Sequence, residues 1–377
     1  SIFIMSTPAS VKLGKVELPV NQVADQFSRV PLLGNYLKGS VDPEMLEEIA
    51  ECINYKLPIL LEGPTGCGKT ATIKWLAHIT NNSYERVQMT GSTDIDNFVG
   101  RFVLKANAKG ETETMWEDGI LTRAMKHGYW LLLDEFNMAL PEILSLVNSV
   151  LDDDRALRLD SKDGVTVIES HENFRLFATM NPPDDYAGTK DLNLATKNRF
   201  AIFRFAYSNA EHEISIISKH TGIAEDFGRS IVKNREPFIK RVVAFASTIR
   251  KAEADQDTSA ICSTRQLIQW VQLSKMLGIK RAANIAIINK AQDEDERTFL
   301  LDQLNKDFAK SESFQQFEKD YQKEKAEIIK REEEERTKNA LRKKHQEASE
   351  VYGELKDELG EFGDFNLEDQ EINSQQI

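Results

Sequence analysis

The sequence has no apolar run approaching the ~18–20 residues that cross a bilayer, so no helical membrane span is predicted. Cysteine is scarce: Cys52, Cys67 and Cys262 stand far apart. They offer neither a disulfide framework nor a zinc spacing, which fits a reducing, cytoplasmic setting. An excess of base is missing too. Lys and Arg number 48 against 61 Asp and Glu, a net charge of −13 that argues against broad binding to nucleic acid or anionic membranes. Ser1-Ile2-Phe3-Ile4-Met5 carries no basic residue and is too short for a signal peptide. No internal repeat is evident.

What is present is enough for two or three domains: 377 residues, 41% of them hydrophobic. Within them, Gly63-Pro64-Thr65-Gly66-Cys67-Gly68-Lys69-Thr70 matches G-x-x-x-x-G-K-[ST] in full. At ordinary residue usage a chain of this length has roughly a 1% chance of one such string. Its flanks fit the motif. Leu57 to Glu62 reads as a buried strand, and Ala71 to Ile79 as a helix with Ile73, Leu76 and Ala77 on one face. Strand, glycine loop and helix together make a phosphate site, because loop N–H groups and a helix N-terminus converge on one anion. Lys69 is expected to reach the β- and γ-phosphates of a nucleoside triphosphate, and the Thr70 hydroxyl to ligate Mg²⁺. Residues Gly63 through Ala71 are the nucleotide-binding candidates. Cys67 reads either as an oxidation-sensitive thiol or as a small residue that fits the loop.

Trp130-Leu131-Leu132-Leu133-Asp134-Glu135 is a second buried-strand pattern, ending in two acids. Asp134 is placed to hold the Mg²⁺ shell, and Glu135 to polarise the attacking water. A third apolar strand, Phe174 to Met180, ends at Asn181-Pro182-Pro183. Open α/β sheets bind ligands at such strand ends, so Asn181 is a candidate partner for the γ-phosphate or the lytic water.

Residues 1–40 are mixed, with an extended stretch from Val11 to Val20. Asp42-Pro43-Glu44 looks like a helix start, with Asp42 as N-cap and the helix running to about Asn54. From 41 to 208, short apolar runs alternate with helical patterns, which predicts a parallel sheet flanked by helices. Residues 209–305 read as all helical, with candidates at Glu211–Lys219, Asp226–Asn234, Glu236–Lys251, Thr264–Leu277 and Ala282–Asn289. Residues 306–352 form a charged helical extension without the sustained apolar heptads of a coiled coil. Residues 353–377 hold eight acids and one base and read as an acidic tail.

Taken together these segments resemble AAA+ ATPases, in the branch of MoxR, CbbQ, the gas-vesicle protein GvpN and the cobaltochelatase small subunit, related to dynein and midasin. The resemblance rests on the phosphate loop, Leu131 to Asn137 and Phe174 to Pro183. Trp116-Glu117-Asp118-Gly119-Ile120-Leu121 and Lys197-Asn198-Arg199-Phe200 add to it. It implies an AAA+ α/β core followed by a small all-α lid. It implies Asn181 as sensor 1 and Arg199 as an arginine finger acting on a neighbouring subunit, with Arg204 the alternative. Ser263-Thr264-Arg265-Gln266-Leu267 is similar to the sensor-2 helix start, which implies that Arg265 contacts the phosphates. It further implies an insert near 94–118, with Phe102 and Trp116 either packed in the core or gripping a substrate, and a hairpin over 157–168.

The expected protein is therefore an ATP hydrolase, self-assembled into a ring of six copies, that remodels, activates or assembles a protein client. Members of the branch often work with a von Willebrand A protein. No Asp-x-Ser-x-Ser motif occurs here, so such a domain would sit on a separate chain. Two other readings are an ATP-dependent assembly scaffold with incidental turnover, and a nucleic-acid motor similar to McrB, which the acidic charge disfavours.

Overall fold

The computed structural model describes residues 9–22, 29–32, 41–106, 112–152, 155–161, 164–182, 191–228 and 236–308, with scattered positions in 319–342. The chain divides into two compact units, Ser1–Glu318 and Lys319–Ile377.

The first unit is organised by five parallel strands: β1 (Ile59–Glu62), β2 (Tyr84–Gln88), β3 (Trp130–Asp134), β4 (Arg175–Met180) and β5 (Ala201–Arg204). They lie in the order β5-β1-β4-β3-β2. Every residue of β3 and β4 is buried, as their largely apolar runs suit in the middle of a sheet covered on both faces, and Arg175, Thr179 and Asp134 are buried with them. The outer strands β2 and β5 are partly exposed.

Alternation along each strand sorts the apolar residues into two layers. On one face Leu60, Leu131, Leu133, Ala178 and Met180 pack against α3 (Ile120–His127) and α4 (Pro141–Leu151) through Leu121, Met125, Ile143 and Val147. On the other, Ile59, Leu61, Trp130, Leu132 and Phe177 meet α1 (Pro43–Asn54) and α2 (Lys69–Ile79) through Ile49, Ile53, Ile73 and Leu76. Each fully buried Leu contributes about 1.5–3 kcal/mol, so Leu132→Asp would cost more than the fold could spare. Asp42 does stand at the N-cap of α1 with Pro43 inside it, but its side chain makes no capping hydrogen bond.

An antiparallel pair joins Ser10–Leu13 to Val16–Pro19, inside the stretch expected to be extended, and two further antiparallel hairpins follow along the chain. One pairs Gly100–Ala106 with Thr112–Asp118, the other Ala156–Ser161 with Gly164–Glu169. In the first, Phe102 is exposed and packs edge-on against Trp116 at 5.1 Å. Phe102 is thus no core residue. Residues 107–111, between this hairpin's two strands, lie outside the described residues.

After β5 the described elements are helical: α5 (Ala210–Thr221), α6 (Phe238–Ala254), α7 (Thr264–Leu277), α8 (Ile279–Ala286) and α9 (Glu294–Asp307). Their core is aromatic, with Trp270 edge-on to Phe245 at 5.2 Å and to Phe308 at 5.5 Å. Three sequence expectations shift here. Residues 226–228 form a turn rather than a helix start, and 229–235 lie outside the described residues. Helix α8 begins directly after Gly278, three residues earlier than expected, and a 3-10 turn at Ile288–Lys290 replaces its last residues. Helix α9, capped by the Asp293 carboxylate on the Glu296 N–H, was not resolved as a separate element by periodicity. In the second unit residues 333–342 are helical and exposed, and the tail 353–377 lies outside the described residues.

Candidate nucleotide site

The parallel register brings the ends of β1, β3 and β4 to one edge of the sheet. Met180 pairs with Glu62, and the Gly63 N–H donates to the Met180 carbonyl at 3.2 Å. The phosphate loop leaves that edge and turns into α2. Gly66 (φ 78°) and Gly68 (φ 97°) are both left-handed, a conformation costly for any residue with a Cβ. A Cβ on Gly68 would meet nothing within 4 Å, so the loop is open above it. A Cβ on Gly66 would come within 3.2 Å of the Ser263 Cβ and 3.6 Å of the Arg265 Cβ. The start of α7 therefore lies directly against the loop.

Lys69, the first residue of α2, is only 8% exposed. Its ammonium donates to the carbonyls of Gly63 at 2.6 Å and Pro64 at 2.8 Å, and to Asn181 Oδ1 at 3.2 Å. Burial lowers the Lys69 pKa, opposed by Cys67, Asp134 and Glu135. The Cys67 thiol is buried and pushed upward, with Lys69 pulling the other way. It is a packed thiol rather than a reactive thiolate.

Asp134 ends β3 and is buried, with both oxygens engaged. Oδ1 accepts a short hydrogen bond from Thr179 Oγ1 and a long one from Thr70 Oγ1 at 3.5 Å. Oδ2 accepts from Arg86 Nε at 2.8 Å and from Arg86 Nη2. Glu135 follows in the left-handed region (φ 55°, ψ 45°), which costs a non-glycine residue on the order of 1–3 kcal/mol. Two contacts hold it there. Its N–H donates to Thr179 Oγ1 at 3.2 Å, and its carboxylate accepts from Gln88 Nε2 at 3.1 Å.

Lys69, Thr70, Asp134, Glu135 and Asn181 thus converge on one sheet edge, and α7 brings Arg265 beside it. Ser263 and Gln266 form a reciprocal capping box that fixes the first turn of α7. Arg265 lines a cavity of about 310 Å³ with Thr65, Ser263 and Lys290. The remaining two arginines point elsewhere. Arg199 donates to Asp152 Oδ1 at 2.7 Å and to the Ala195 carbonyl at 2.8 Å. Arg204 is 87% exposed at the end of β5, 3.8 Å from Glu62.

Sequence reading missed Arg86, Gln88 and Thr179. A signal existed: residues 86 and 88 lie on one side of β2, in register beside the end of β3. Thr179 is the one hydroxyl residue in a strand that is apolar from Leu176 to Met180 apart from it.

A glycine loop between a central parallel strand and a helix, facing a strand-end Asp, defines a P-loop ATPase-like fold. Residues 58–200 match the AAA domain of the dynein-related subfamily, and residues 213–308 the CbbQ/NirQ/NorQ C-terminal region. An uncharacterized protein of Staphylococcus epidermidis is 30% identical over 268 residues, covering 71% of this chain and 97% of its own length. One from Staphylococcus haemolyticus is 29% identical with the same coverage. A solved structure from Cytophaga hutchinsonii shares 18% identity at a TM-score of 0.40 over 77% of this chain and 91% of that one, too distant to add to the argument. The chain belongs to the dynein-related AAA+ ATPases with a CbbQ-type C-terminal region, the MoxR-like group, and is an ATP hydrolase by that membership. No helix among the described residues is long and apolar enough to cross a membrane.

Proposed function

We propose that the chain binds ATP with Mg²⁺ at residues 63–71, hydrolyses it in a ring of six copies, and uses the cycle to remodel, activate or assemble a protein client. On this reading residues 41–208 are the ATPase core, 209–305 the lid, and 306–377 an extension available to the client. The observation that carries it is the meeting of three strand ends. Lys69 is within 3.2 Å of Asn181, and the Thr70 hydroxyl within 3.5 Å of Asp134.

The residues fit the nucleotide and its metal. Lys69 already spends its N–H donors on the carbonyls of Gly63 and Pro64, oxygens that phosphate oxygens can replace. Thr70 and Asp134 offer a hydroxyl and a carboxylate side by side, the hard oxygen set Mg²⁺ takes together with substrate phosphates. Bound there, the metal would neutralise phosphate charge. Glu135 then serves as the base that orients water, held by Gln88 until the site fills. Asn181 stands beside Lys69 to read the terminal phosphate, and Arg265 closes from α7. Arg199 completes the site of the next copy.

Glu135→Gln is the test. Hydrolysis should fall by about 10²–10⁴, with binding of a fluorescent ATP analogue retained. Normal turnover would remove Glu135 from the chemistry. A hydrolytically dead variant that fully complements in cells would favour the assembly-scaffold reading.

A further inference from the structure

Away from the loop's catalytic edge, one buried ion pair touches several elements at once. Glu213 on α5 is 1% exposed, and Arg250 on α6 forks onto it, with Nη1 and Nη2 each 2.8 Å from a carboxylate oxygen. Neither residue belongs to the candidate nucleotide site described above. The pair is far more occupied than a structural bridge between two helices needs to be. Thr264, the first residue of α7, donates its hydroxyl to Glu213 Oε1 at 2.6 Å. Arg250 Nε donates to the Cys262 carbonyl at 2.7 Å, just before the Ser263 cap. The guanidinium carbon also sits over the Tyr207 ring, 3.7 Å from its centroid. Tyr207 in turn donates its hydroxyl to the Thr65 carbonyl in the phosphate loop, at 3.2 Å.

A continuous chain of contacts therefore runs from loop to helix. It passes from Thr65 to Tyr207, to Arg250, to Glu213, and ends on Thr264 and the Cys262 carbonyl. Both of its ends frame the same place, since Gly66 abuts Ser263 and Arg265. A bidentate pair with an aromatic ring against it is a geometrically stiff link, because the planar fork fixes direction as well as distance. Moving α7 relative to the loop requires breaking it. The Tyr207 hydroxyl ties the Thr65 carbonyl to the same link, so these contacts also hold the shape of the loop.

We propose that Tyr207, Arg250 and Glu213 are positioning residues that couple the phosphate loop to the first turn of α7, holding Arg265 at the height over the loop that nucleotide binding uses. The inference rests on the reading of residues 63–71 as the nucleotide site. It adds the means by which the lid registers occupancy.

Tyr207→Phe in the full-length chain separates coupling from folding. It keeps the ring under Arg250 and removes only the hydroxyl bonded to Thr65. Expected are an unchanged melting midpoint and roughly fivefold weaker binding of a fluorescent ATP analogue, the scale of one neutral hydrogen bond. Hydrogen exchange over residues 264–277 should lose the slowing that the analogue causes in the wild type. Thr264→Val, which cuts the far end of the chain, should show the same loss of affinity and of slowed exchange, with a lower melting midpoint because the buried Glu213 carboxylate loses a donor. Wild-type affinity and exchange in Tyr207→Phe would overturn the proposal. So would a loss of affinity in Tyr207→Phe that comes with a fall in its melting midpoint. Lys69→Ala run in parallel keeps the two readings apart: if it binds the analogue as well as wild type, the site assignment fails, whatever Tyr207→Phe does.

Discussion

Lys69 Nζ stands 3.2 Å from Asn181 Oδ1, a meeting of residues 112 positions apart. The register of β4 on β1 dictates it, because Met180 pairs with Glu62 and the next residue on each strand enters the site. The ammonium is shared between an amide that stays in place and two loop carbonyls that a phosphate can replace.

That sharing separates two variants. Lys69→Ala should abolish binding of ATP, measured by titration of a fluorescent analogue, because Lys69 is the one basic residue in the sequence from 63 to 71. Asn181→Ala should leave binding nearly intact and lower turnover on the order of 10², as loss of one preorganised group in a charged transition state does. Equal loss of binding in both would make Asn181 a ligand of the ground state only.

Arg199→Ala should lower ATP turnover by about 10³ or more if it acts as a finger, with little effect on stability. Its bond to Asp152 is between partly exposed groups and is worth at most about 1 kcal/mol. The test is mixing. Arg199→Ala combined with Lys69→Ala should regain part of the turnover, because each copy supplies what its neighbour lacks. If mixing restores nothing and Arg204→Ala behaves as predicted for Arg199, the finger is Arg204.

Stability should fall above pH 9. Burial raises the Cys262 thiol to about 12, and Cys52 and Cys67 shift the same way. The unfolded chain releases those protons near pH 9 while the folded chain keeps them. The contribution is therefore whole below the unfolded value and lost as pH climbs toward the folded one. For Cys262 alone the slope is about 1.4 kcal/mol per pH unit. Denaturant unfolding at pH 8, 9 and 10 checks this, and Cys262→Ala should flatten the decline.

Much of this architecture was legible in the residues, and for identifiable reasons. The runs Leu131–Leu133 and Leu176–Ala178 are apolar enough to mark a sheet interior. The loop at 63–70 carries its own context. What escaped was whatever depends on neighbours that sequence does not order. Arg86 on Asp134 and Gln88 on Glu135 require knowing that β2 lies beside β3. The left-handed backbone at Glu135 has no glycine or asparagine to announce it. Helix α9 hid because its charged face dilutes Leu300 and Leu304, which periodicity alone could not separate from the charged stretch after it.

The contact of Gly66 with Ser263 and Arg265 gives that glycine a second duty. Besides bending the chain, it acts as the shim whose thinness decides how far two parts of the molecule can shut. A methyl group there would work as a doorstop. A replacement at position 66 is then a change in travel as much as a change in the phosphate cradle, and a phenotype at this position reports on both.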